Sequence, residues 1–89
     1  MSNTLIVGNW KMNLNVHQAS LYVHELSNKI EHHSDVKVVL APSFIALQTL
    51  SLQVKKHHFG LAAQNCYWRD EGAFTGEVSA TQLRGVVDY

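Results

Sequence analysis

Only one cysteine, one proline and no surplus of either charge appear in this 89-residue chain. With Cys66 alone, neither an internal disulfide nor a four-thiolate metal site can form. A single cysteine beside apolar and aromatic residues fits a reducing compartment, so the expected location is the cytoplasm. Seven basic residues balance seven acidic ones, leaving zero net charge with neutral histidines. That balance argues against a nucleic-acid footprint or a polybasic membrane patch. The densest positive stretch, Lys55-Lys56-His57-His58, reads as a solvated helix end. Long apolar runs are missing too. Leu5-Ile6-Val7 and Val38-Val39-Leu40-Ala41 are far short of a membrane span. No basic segment leads into an apolar stretch of about 7–15 residues at the N-terminus, so no secretory signal is expected.

What is present in excess is histidine, six in all. His32-His33 and His57-His58 are adjacent pairs whose members point to different sides of a helix or strand. His17 and His24 share a helical face, yet neither has an i,i+4 partner or an acidic ligand in a zinc pattern. Surface histidines, and no metal, are the expectation. A chain of this size makes one small domain that buries only about 60–65% of its unfolded surface, so its core is thin.

Thr4-Leu5-Ile6-Val7 is β-branched and apolar without polar alternation, the pattern of a strand buried on both faces. Asn13-Leu14-Asn15 breaks it. A helical spacing follows at Val16, Ala19, Tyr22, Val23, Leu26 and Ile30, with Gln18, Glu25, Lys29 and His32 on the other face. Asn15 with Gln18 forms a capping-box pattern at its start. Asp35 closes the next turn, and Val36 to Ala41 reads as a second buried strand. Pro42 stops it, and Ser43 can cap a shorter helix that runs to about Leu52. A weaker third strand is expected over Phe59-Gly60-Leu61-Ala62-Ala63. Gln64 to Val78 is long, irregular and rich in turn residues. Ser79 with Gln82 repeats the capping-box spacing and opens a third helix. Val86-Val87-Asp88-Tyr89 reads as the start of a fourth strand.

Strands alternating with helices predict a parallel sheet with right-handed crossovers. A three-stranded parallel sheet needs cover on both faces and protection at both edges, and helices on the outside of a barrel cover only one face. The pattern is that of a fraction of an architecture.

Three segments carry more than fold. "VGNWKMN" follows the first strand, "APSF" the second, and "AAQNCYWRDEGAFTGEVSA" spans the third strand's end and the loop after it. Read by residue type alone, Lys11 is either a rim lysine lying beside Trp10 or an ammonium held at a strand's mouth. In order and spacing, from Leu5 to Tyr89, the three segments resemble triosephosphate isomerase. Many members have proline where Ala80 stands, at a first helical position where alanine is also acceptable.

The resemblance implies the first three β/α units of an eight-fold β/α barrel of roughly 250 residues. Residues 1–89 would then be the N-terminal part of a single barrel domain, incomplete on its own. It implies interconversion of dihydroxyacetone phosphate and D-glyceraldehyde 3-phosphate through an enediolate, in glycolysis and gluconeogenesis, with no metal and no organic cofactor. By the resemblance, a glutamate base and a neutral imidazole electrophile would do the proton chemistry. Both would lie outside this chain, which alone is expected to be inactive. Lys11 matches the family's substrate-binding and catalytic lysine. Asn9, on the same face of an extended segment, matches its substrate-binding neighbour and is expected to bond substrate and lysine alike.

The resemblance also implies a homodimer. The Gln64–Ser79 loop would dock beside the active site of the two-fold mate, near the position matched by Met12. Thr75 would sit at the loop tip and steady the neighbour's Asn9 and Lys11, with Tyr67, Phe74, Gly76 and Glu77 in the interface. Tyr67, Trp68 and Phe74 would be costly to leave in water, and long loops in compact domains usually have a function. Trp10 is expected to pack, and Glu77 and Arg69 to order the loop by ion pairing rather than act as an acid–base pair. A reading of a different class is a non-catalytic binding or assembly module that reuses the three units.

Overall fold

A computed structural model of the chain describes residues 3–30 and 34–89. The expectations on His32 and His33 fall outside these residues. Strand β1 (Thr4–Asn9) pairs in parallel with β2 (Val36–Ala41), from Thr4 opposite Val36 to Asn9 opposite Ala41. Strand β2 pairs in parallel with β3 (Gly60–Leu61), so the sheet order is β1-β2-β3. Helices α1 (Val16–Lys29) and α2 (Phe44–Gln53) form the crossovers, and α3 (Ala80–Leu83) follows the long loop. The alternation is that of the N-terminal part of a β/α barrel.

Local chemistry sets the helix starts. The Asn15 side chain accepts from the Gln18 N–H at 2.9 Å, while the Gln18 side chain accepts from the Asn15 N–H at 3.0 Å. Helix α1 buries Ala19 and Val23 against the sheet. Tyr22 stays half-exposed with its ring 5.3 Å from that of Trp10, edge to face. Ile30 is the C-cap rather than a helical residue. Ser79 and Gln82 form a second capping box, but α3 is a single turn, ended by Arg84 and by Gly85 at φ +83°. Helix α2 is apolar on most sides and buries Ala46, Leu47 and Leu50. The two long helices are tied at Ser20, whose hydroxyl donates to Gln53 Oε1 and whose main-chain carbonyl accepts from Gln53 Nε2, each at 2.9 Å.

Several expectations are refined. Leu5, Ile6 and Val7 are 51–53% exposed, because β1 is an edge strand with a neighbour on one side only. The third strand is Gly60–Leu61, not Phe59 to Ala63. Ser43 is the N-cap of α2 and its carbonyl accepts from the Ala46 N–H at 3.0 Å, but its side chain makes no capping bond. Val86 to Tyr89 completes no strand but begins the expected pairing, since the Tyr89 N–H donates to the Leu61 carbonyl at 3.2 Å and the Ala63 N–H to the Tyr89 carbonyl at 3.1 Å. The Asp88 carboxylate accepts from the Leu61 N–H at 3.0 Å, and the Asp88 N–H donates to the Leu61 carbonyl at 2.8 Å. A side chain thus takes one rung of the ladder.

The main core lies between sheet and helices and includes Val23, Leu40, Leu47, Leu50, Phe59 and Leu61. A smaller cluster of Val39, Ala41 and Ala62 occupies the other sheet face. Among the described residues no helix is long and apolar enough to cross a membrane, and no three His, Cys, Asp or Glu residues gather as a metal-holding group.

Candidate functional site

All three strands run the same way, so their C-terminal ends and following loops meet on one side of the sheet. The Trp10 N–H donates to the Ala41 carbonyl at 3.0 Å and extends the pairing one residue past β1. The chain then leaves the sheet abruptly. Lys11 has φ +57°, a left-handed backbone that costs a lysine about 1–2 kcal/mol. Side chains from the end of β1 and from the loops after β2 and β3 offset this. The Lys11 N–H donates to the Asn9 side-chain oxygen at 2.9 Å. The Lys11 carbonyl accepts from Gln64 Nε2 at 2.8 Å and from the Ser43 hydroxyl at 3.3 Å. Gln64 Nε2 also donates to the Ala41 carbonyl at 2.9 Å. Asn13 closes the loop from outside by donating to the Trp10 carbonyl at 2.8 Å.

Asn9 and Lys11 are therefore together, but not in the expected way. The segment is left-handed at Lys11 rather than extended, and Asn9 bonds the lysine's main-chain N–H, not its ammonium. Both residues are exposed, as is Met12 beside them. Ser43 and Gln64 were missed as site residues. Their signal was position, since each is the first long or hydroxylated polar side chain after a strand's end.

The Gln64–Ser79 loop is ordered by its own contacts. The Tyr67 N–H donates to the Val78 carbonyl at 2.7 Å, and Tyr67 bridges Ser79. The Glu77 N–H donates to the Phe74 carbonyl at 3.1 Å, closing a turn that carries Thr75 and Gly76. Gly76 is at φ +84°, which a side chain would strain. Tyr67 and Phe74 stack with centroids 4.6 Å apart and are half-buried, so they cover each other more than expected. Trp68 remains 75% exposed. Arg69 lies over Trp68 at 4.5 Å and Phe74 at 5.9 Å, a ring contact that joins it to the loop's aromatic cluster. A cleft of about 530 Å³ beside these rings is lined by Tyr67, Arg69, Phe74, Glu77 and Gln82, among others. Thr75 and Gly76 lie outside it, exposed on the turn. Among the described residues no hydrogen bond joins Thr75 to Asn9 or Lys11 within the chain.

Parallel β/α units with the loops after their strands gathered on one side are the arrangement of part of a β/α barrel. Residues 4–87 match the triosephosphate isomerase family. The triosephosphate isomerase of Pelobacter propionicus is 43% identical over 84 residues, covering 94% of this chain and 34% of that protein. Those of Ligilactobacillus salivarius and Flavobacterium johnsoniae are 40% and 37% identical, covering 100% and 97% of this chain. The chain belongs to the triosephosphate isomerase family. It spans about a third of the length of these relatives.

Proposed function

We propose that this chain supplies the substrate-anchoring corner of a triosephosphate isomerase acting in the cytoplasm. The observation that carries the reading is Lys11, its main chain held at the sheet's C-terminal mouth by Asn9 at the end of β1 and by Ser43 and Gln64 from the loops after β2 and β3. A phosphate dianion and an oxygen charge developing nearby both need a fixed positive group, and a preorganised ammonium in a water-poor site serves the two together. Asn9 has its side-chain oxygen engaged by Lys11, which leaves its amide hydrogens for a substrate oxygen. The chemistry needs no metal and no organic cofactor.

The three converging segments, 9–15, 41–44 and 62–66, contain no aspartate, glutamate or histidine. An anchor without a base cannot take a proton α to a carbonyl. The base and electrophile come from further β/α units, and the 89-residue chain alone should show no turnover above background. Turnover by the pure chain, abolished by Lys11→Ala, would overturn that.

In the assembled isomerase, Lys11→Met should lose both substrate affinity and turnover, because one charge serves ground state and transition state. Lys11→Arg should restore it incompletely, since a planar fork does not replace a compact point charge. Near-normal steady-state kinetics for Lys11→Met would exclude this role. Phosphate binding that depends on Lys11, without turnover in any assembly, would instead fit the non-catalytic module.

A further inference from the structure

We propose that Gln64 is a positioning residue for Lys11, an inference that rests on the anchoring role given to Lys11 above. The carboxamide nitrogen has two hydrogens, and it faces two carbonyls, Lys11 at 2.8 Å and Ala41 at 2.9 Å. Both partners are acceptors only, so the chemistry of the contact itself demands the NH₂ group there. Ala41 ends β2, and its carbonyl also takes the Trp10 N–H. Gln64 therefore references Lys11 to the end of the central strand, the best-buried part of the sheet.

Two rotations decide where the lysine side chain leaves the backbone. Turning φ of Lys11 moves its N–H, which is tied to Asn9. Turning ψ moves its carbonyl, which is tied to Gln64 and, at a longer 3.3 Å, to Ser43. With both peptide groups pinned, the Cα–Cβ direction is set although the residue sits at a φ of +57° that lysine seldom adopts. The lysine side chain has four rotatable carbons of its own, so its aim depends on a fixed starting direction. Released from Gln64, the carbonyl can turn, and the backbone falls back towards ordinary dihedrals that send the ammonium elsewhere.

The test is a double-mutant cycle in the assembled isomerase, using Gln64→Glu and Gln64→Met with and without Lys11→Met. An ionised carboxylate at residue 64 faces two carbonyls with nothing to donate, and methionine keeps the length without either hydrogen. Each single Gln64 variant should lower kcat/KM by about 10- to 100-fold, with kcat falling and KM rising together. In the Lys11→Met background the same changes should cost less than about two-fold, because there is no ammonium left to aim. A purely structural role would cost the same factor in both backgrounds, and that result overturns the proposal. So do Gln64 variants with parent-like kinetics while Lys11→Met is severely impaired, an outcome that leaves the anchoring role of Lys11 standing. If Lys11→Met itself is parent-like, both fall. Should Gln64→Glu fail to accumulate, Gln64→Met, which adds no charge, decides the outcome by the same cycle.

Discussion

Lysine, asparagine and glutamine at this site divide one task, and each does what its functional group permits. The lysine offers a charge, the asparagine an acceptor for a main-chain N–H, and the glutamine two donors for two carbonyls. The first two were legible in "VGNWKMN". The third was not, because a left-handed lysine cannot be foreseen from local propensity and only then does its carbonyl need a distant donor. Gly60 shows a second packing constraint that sequence conceals. A Cβ there would lie 3.0 Å from Lys37 Cε and 3.1 Å from Val39 Cγ2. The lysine end can swing aside, but Val39 is buried on the crowded sheet face. Gly60→Ala should therefore destabilise the fold by about 1–3 kcal/mol, the cost of overpacking, read as a lower melting temperature.

At the scale of elements, the two helix starts were readable because capping boxes are local chemistry, and both are present. Replacing Asn15 by alanine removes the acceptor for the Gln18 N–H and should cost about 1 kcal/mol, measurable by chemical denaturation. The third strand is shorter than expected, and the pairing that begins at Tyr89 has a side chain in it. Apolar runs predict strands, but the rungs depend on which partner arrives, and here Asp88 supplies a carboxylate to Leu61 where a carbonyl was expected. The long loop was legible as a loop, yet its inner order was not. Gly72 is its clearest constraint, at φ +141° with a would-be Cβ only 2.7 Å from Phe74 Cε2. Gly72→Ala should push Phe74 off Tyr67 and flatten the near-UV circular dichroism of this ring cluster, while the far-UV spectrum of α1 and α2 stays. Unchanged near-UV signal would mean that the loop has slack that the close approach denies.

The described residues form a slab of about 43 × 34 × 20 Å with a radius of gyration of 13.8 Å, against roughly 12 Å for a compact domain of this length. Such a shape leaves two apolar features facing outward, the half-exposed side chains of β1 and the loop carrying Trp68 and Thr75. The first belongs with the barrel reading, in which β1 gains a second neighbouring strand. The second is where we propose that another subunit docks. Thr75 and Gly76 form an exposed turn that is stiffened from below by Tyr67, Phe74 and Arg69, so it projects without being loose. In the assembled isomerase we expect a two-fold dimer in which each turn reaches the partner's Asn9–Lys11 mouth beside Met12. A two-fold contact is self-complementary, so one substitution disturbs both sites of the dimer. Thr75→Arg should weaken association on the order of a hundredfold or more, since an unpaired buried charge costs several kcal/mol. Activity should fall with it, although Thr75 bonds neither Asn9 nor Lys11 in its own chain. Sedimentation over a concentration series, with turnover assayed on the same samples, separates the two effects. A Thr75→Arg monomer with undiminished turnover would make the loop an assembly device only, and the Lys11 mouth would then owe its order entirely to Asn9, Ser43 and Gln64.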